Sequence, residues 1–184
     1  YNAHHLPQIV TIATNPAITG IGQWTYRLCL SDAEQGPALA DYAVSAWKKR
    51  RIAVFFVNDA YGNGLAEQFE KRAMGLGAEL VGSVMHRNVL QPDDHETIRL
   101  AIARMKATVQ PDLNVLFQRV EAAVWTIRAI REGGLTAAVL GGDNLAQYSL
   151  VQNLQELADG VRVSLFFYAD PADARGQEFR AAYR

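Results

Sequence analysis

At 184 residues, the chain is long enough for one domain and a little more, and long enough to bury a real core. Its composition, 49% apolar and 20% charged, is that of an ordinary globular protein, and a formal net charge of −1 supplies no bulk field for nucleic acid or an anionic membrane. Cys29 is the single cysteine, which excludes an intrachain disulfide and a cysteine-rich metal site, and no apolar run approaches the ~18 residues of a membrane span.

The opening residues, Tyr1-Asn2-Ala3-His4-His5, do not resemble a signal peptide and read as the end of an interior helix. Residues 8–12 form a short strand, followed by Ala13-Thr14-Asn15-Pro16-Ala17-Ile18-Thr19-Gly20, a polar loop with helix-start chemistry. Residues 25–30 form a second strand, in which Cys29 reads as a small core residue. Ser31-Asp32-Ala33-Glu34 has capping-box spacing and opens a helix through about Lys48. The run Lys48-Lys49-Arg50-Arg51 closes that helix, its cations complementing the helix dipole. A regular alternation follows: strand 52–57 and helix 64–75, strand 79–86 and helix 94–108, strand 114–117 and helix 121–132. Strand 138–140 then precedes helix 145–157, and strand 160–167 precedes Asp170-Pro171 and a helix to the terminus. Asp93-Asp94-His95-Glu96 reads as a helix start, and Gly75, Gly77 and Gly133-Gly134 as helix stops. Strand and helix alternating at this pitch predict an α/β fold, a three-layer doubly wound parallel sheet with right-handed crossovers.

Ile52-Ala53-Val54-Phe55-Phe56-Val57 has the continuous apolar character of a strand buried on both faces. The chain leaves it through Asn58-Asp59-Ala60-Tyr61-Gly62-Asn63-Gly64, so Tyr61 is expected at the tip of a turn on the carboxyl edge of the sheet, where open α/β folds bind ligands. Gly62-x-Gly64 is a weak match to a dinucleotide fingerprint, because Glu67 occupies the third glycine position and would repel pyrophosphate. No Gly-x-Ser-x-Gly elbow is present, and His4, His5, His86 and His95 are too scattered for a metal site, so neither catalysis, a metal nor a cofactor is read. Asp143, in Gly141-Gly142-Asp143-Asn144, lies on the same sheet edge as Tyr61; it either holds a cationic ligand group or caps the next helix. Thr14 also follows a strand, beside backbone N–H groups suited to an anion. Together the three suit an amino-acid-like ligand, while capping and turn formation explain each alone.

The Ala13 to Thr19 segment, Tyr26-Arg27 and the Asp32 to Ala40 segment resemble the type I periplasmic solute-binding proteins of ABC importers, in the branch typified by the leucine/isoleucine/valine-binding protein. Arg51-Ile52-Ala53-Val54, Tyr61-Gly62-Asn63-Gly64-Leu65-Ala66, Gly134-Leu135 and Gly142-Asp143 extend the resemblance over nearly the whole chain. It implies two α/β lobes joined by crossing strands, a periplasmic location, no enzymatic activity, and hinge closure on a small-molecule ligand that importer membrane subunits then receive. By resemblance Ala13 and Thr14 come from the first lobe and bind a ligand carboxylate, whereas Tyr61 and Asp143 come from the second, Asp143 meeting an ammonium. Residues 1–30 are then a remnant of the first lobe with its crossover strand, 31–168 the second lobe, and 169–184 the start of the return. A ligand-sensing domain of a signalling or regulatory protein is the alternative with the same fold. One departure bears on specificity: Gln118-Arg119 stands where relatives often place a tyrosine or small residue. If Arg119 faces the cleft, the ligand either bears an extra carboxylate, which its fork suits, or is not a simple aliphatic amino acid; if it turns outward, it is a helix-start surface residue.

Overall fold

The structure, a computed structural model, describes residues 1–166 and 173–183. Five parallel strands build the main sheet: β3 (Arg51–Val57), β4 (Glu79–His86), β5 (Leu113–Phe117), β6 (Ala138–Gly141) and β7 (Val161–Val163), in the spatial order β4-β3-β5-β6-β7. A separate parallel pair, β1 (Gln8–Val10) and β2 (Thr25–Arg27), is registered Gln8 to Thr25. Helices alternate with the strands: α1 (Asp32–Asp41), α2 (Ala60–Gly75), α3 (Pro92–Thr108), α4 (Val120–Glu132), α5 (Tyr148–Leu154) and α6 (Ala174–Tyr183).

The three-layer arrangement follows from the period-2 pleat. Ile52 and Val54 of β3, with Leu113, Val115 and Phe117 of β5, face α1 and α2 and pack with Leu65, Phe69 and Ala73. Ala53, Phe55 and Leu116 point the other way and meet Ile98 and Ile102 of α3, Ile127 and Ile130 of α4, and Leu150 and Leu154 of α5. Both faces of the central strands are thus sealed, as their mostly apolar sequences require, with Asn114 of β5 the buried polar exception in that strand. Phe69 and Phe117 meet edge to face at 5.5 Å between ring centroids within the first of these layers.

Several element boundaries differ from expectation. The strand at 25–30 ends at Arg27, so Cys29 lies outside it; half-buried, its thiol donates to the Ala13 carbonyl at 3.5 Å. α1 opens with the full Ser31–Glu34 capping box, but after Asp41 it widens into a π-type turn, Tyr42–Ala46, closed by Trp47 N–H on the Tyr42 carbonyl. The basic run therefore begins at a left-handed Lys48 and ends inside β3, and it does not cap the helix. α3 starts two residues early, at Pro92, because Asp94 accepts from the Gln91 N–H and closes a capping box there. The helix expected over 145–157 divides into a 3-10 turn Asp143–Leu145, α5, and a second 3-10 turn Gln155–Ala158. Burial of Leu145 against Gly141 draws the first turn inward, and left-handed Gln155 ends α5. The last strand, expected over 160–167, ends at Val163, and residues 164–166 lie beyond it; residue 167 and Asp170-Pro171 lie outside the described residues.

Candidate ligand-binding cleft

In the strand order, β4 lies to one side of β3 and β5 to the other, so the chain reverses direction across the sheet between β3 and β5. Open α/β folds bind ligands outside the carboxyl ends of strands at such a point. Tyr61 follows β3, Arg119 follows β5, Asp143 follows β6, and Thr14 follows β1. All of them, with Ala13, line one cleft of about 340 Å³ shared with Ile12, Asn15, Ile18, Asp59, Ala60 and Asn144. Larger hollows exist, about 710 Å³ between α1 and β7 and about 650 Å³ between α3 and α4, but the smaller cleft gathers the charged and hydroxyl side chains that orient a polar ligand.

Tyr61 does not sit at the tip of a turn. α2 begins at Ala60, four residues before the expected start, because the Asp59 carboxylate accepts from the Tyr61 and Gly62 N–H groups at 3.0 and 2.9 Å and caps the helix there. The early start requires glycine at 62, where an added Cβ would lie 2.0 Å from the Val57 carbonyl. As the second residue of α2, Tyr61 extends across the sheet edge and its hydroxyl donates to Asp143 Oδ1 at 3.1 Å. Gly142 makes room for that hydroxyl, since a Cβ there would lie 2.5 Å from it. Burial, then the Asp143 charge, pushes the Tyr61 phenol well above its ordinary pKa and keeps its proton in place to be donated.

Asp143 caps no helix. Its Oδ1 accepts both from Tyr61 and from Gln35 Nε2, at 2.9 Å, and Gln35 also donates to Ser164 Oγ at 2.7 Å. Both donors are neutral, and no cation stands within salt-bridge reach of Asp143 among the described residues. The Asp143 carboxylate is therefore oriented without being neutralised.

Across the cleft, Thr14 is buried, and its carbonyl accepts from Arg27 Nη1 at 3.1 Å and from the Asp32 N–H at 3.0 Å. Asn15 caps the short 3-10 helix Pro16–Gly20 and donates from Nδ2 to the Ala60 carbonyl at 2.8 Å, joining the loop to the start of α2. Behind the loop, neither oxygen of the fully buried Asp32 carboxylate has a hydrogen bond of good geometry among the described residues. Burial pushes its pKa up to about 6, with Thr14 and Arg27 opposing and Asp143 adding to the rise.

The paired residues Gln118 and Arg119 diverge. Gln118 is fully buried beneath the cleft and donates to His86 Nε2 at 2.6 Å and to Thr126 Oγ1 at 3.2 Å. His86 Nδ1 lies 2.7 Å from the Arg87 carbonyl, which only accepts, so Nδ1 carries the proton and Nε2 receives the Gln118 amide. Burial lowers the His86 pKa and favours this neutral tautomer. Arg119 faces the cleft, half-exposed, but its charge is already engaged: Nη2 meets Asp59 Oδ2 at 3.0 Å and Nε donates to Asn88 Oδ1 at 2.5 Å. Sequence reasoning missed Gln35, Asp59 and Asn15 as parts of this arrangement. Asp59 carried a usable signal, since it is an N-cap residue type two positions beyond the end of a strand.

A family model for periplasmic binding proteins matches residues 1–184, and the chain belongs to that family. It is 30% identical over 191 residues to Leu/Ile/Val-binding protein homolog 1 of Brucella abortus (strain 2308), the match covering 100% of this chain and 48% of the relative. Among solved structures it resembles a leucine binding protein from Thermotoga maritima, with a TM-score of 0.86 at 22% identity over 99% of this chain and 51% of that one. An ABC transporter substrate-binding protein from Desulfitobacterium hafniense, in complex with Leu, matches with a TM-score of 0.79 at 22% identity, over 100% and 51% of the two chains. These structures share the α/β lobe architecture. The chain spans about half the length of the relatives it matches, and those relatives are binding proteins by name, not enzymes.

Proposed function

We propose that the complete protein is the extracytoplasmic solute-binding component of an ABC importer, holding an amino acid or related small polar ligand between two lobes that close about a hinge. The observation that carries this reading is the pairing of Tyr61 and Gln35 on one oxygen of Asp143. Two neutral donors fix that carboxylate in place and leave its charge for a ligand ammonium. The Ala13-Thr14 loop, braced by Arg27, faces it across the cleft and would take the ligand carboxylate. In this assignment β1, β2 and their connecting loop belong to the first lobe and its crossing strands, and residues 31–168 to the second. The protein is non-catalytic: it binds, closes and presents the closed shape to the importer's membrane subunits. The names of its relatives and the amino-acid ligand of one of them support this reading.

Thermal melting of the complete protein against a panel of amino acids tests the proposal, because a ligand confined to the native state raises the melting temperature. At least one free amino acid is expected to raise it, and the N-acetyl form of the same compound, which lacks the ammonium, is expected not to. Equal shifts from both forms would remove Asp143 from its assigned role.

A further inference from the structure

Resting on that reading, we propose that the Arg119–Asp59 pair is a specificity subsite for a neutral group that both donates and accepts hydrogen bonds. The ligand is then an amino acid ending in a carboxamide or ureido group, and neither an aliphatic nor an acidic one.

A guanidinium presents its donors along two edges. Arg119 commits the edge formed by Nε and Nη2, to Asn88 and Asp59. Among the described residues no bond engages Nη1, so the outer edge remains for a ligand within the cleft that Arg119 lines. Asp59 is similarly divided. Its Oδ1 is consumed by the Tyr61 and Gly62 N–H groups, whereas Oδ2 receives only Arg119 among the described residues and keeps a lone pair. The pair therefore offers one donor edge and one acceptor site side by side, at zero net charge.

Each ligand class meets this pair differently. An aliphatic side chain, closed into the cleft, strips water from the outer N–H groups of Arg119 and gives nothing back, which leaves donors unpaired. A carboxylate is attracted by Arg119 but repelled by Asp59, whose Oδ2 lies 3.0 Å from the same guanidinium. The attraction and repulsion largely cancel while the anion still loses its hydration. An ammonium competes with Arg119 for Asp59 and faces the guanidinium charge. A carboxamide or ureido group satisfies both partners, its carbonyl accepting from Arg119 and its N–H donating to Asp59 Oδ2. The charges also sum correctly: such an amino acid is a zwitterion, its ammonium is assigned to Asp143, and its uncharged far end meets the neutral pair.

The test is calorimetric titration of the complete protein with L-glutamine, L-citrulline, L-leucine and L-glutamate. An amide or ureido ligand is expected to bind about 10–100-fold more tightly than leucine or glutamate, the scale set by unpaired buried donors. Asp59→Asn keeps an N-cap of similar strength but leaves Arg119 uncompensated, and is expected to move the preference toward glutamate. Arg119→Met is expected to abolish the preference for the amide while leaving leucine binding measurable. Leucine or glutamate binding as tightly as the amides would overturn the subsite and leave the binding-protein reading intact. The subsite is also overturned if Arg119→Met weakens every ligand equally, which would make the pair a brace between α2 and α4. Failure of all four compounds to bind the wild type, with no response to any amino acid, would overturn both readings together.

Discussion

Asp143 is held by neutral hydrogen-bond donors, and this arrangement separates its orientation from its charge. Replacing it in the complete protein by alanine is expected to weaken amino-acid binding by about 2–5 kcal/mol, the cost of stranding one partner of a desolvated ion pair; calorimetry that finds unchanged affinity would refute the assignment. Asp32 illustrates the opposite case, a carboxylate buried without adequate compensation. Its folded-state pKa of about 6 lies above the ordinary value of 3.8, so the folded state holds that proton more tightly than the unfolded chain does. The stabilisation from this group is full below the ordinary value and is lost as pH rises through about 6. Asp32→Asn is therefore expected to stabilise the protein at neutral pH by on the order of 1–3 kcal/mol, with the gain disappearing below about pH 4. Urea denaturation at the two pH values checks it, and a constant difference would place the effect elsewhere. Tyr61, Asp143, Arg119, Ala13 and Thr14 could be picked out of the sequence because each stands at or just beyond the end of a strand. Gln35 could not, because nothing local to α1 reveals a bond to a residue 108 positions away.

At the scale of elements, the central strands were readable, as was the start of α1 from its Ser31–Glu34 capping box, but the start of α2 was not. A continuous apolar run identifies β3, as a strand sealed on both faces requires, whereas β5 is apolar except for the buried Asn114. Gly62 and Gly64 misled the boundary of α2 because glycine is a poor helix former. Here glycine at 62 serves close packing of the first helical turn against Val57, an interaction that propensity does not encode. Gly62→Ala is accordingly expected to destabilise the protein, although the same change in an exposed helix stabilises it, and its melting temperature would show the reversal. Phe69 is fully buried against Phe117 between α2 and β5. Phe69→Ala is expected to cost about 3–5 kcal/mol in chemical denaturation; a loss below about 1 kcal/mol would mean that the neighbouring layer collapses into the space. The subdivision of the segment after β6 was equally unreadable, because the pull of Leu145 into the core, not its local propensity, sets the first 3-10 turn.

For the molecule as a whole, the strand order explains why so much of the cleft was predictable: in a parallel sheet every strand delivers its following residue to the same edge. What the strand pattern does not convey is which charges are already satisfied: the sequence left the role of Arg119 open, and the structure pairs it with Asp59. The most direct test of the central claim is small-angle scattering from the complete protein, with and without the amino acid that raises its melting temperature. Closure of two lobes on the ligand predicts a smaller radius of gyration at saturation. A raised melting temperature with an unchanged scattering profile would contradict hinge closure and leave a site that binds without moving.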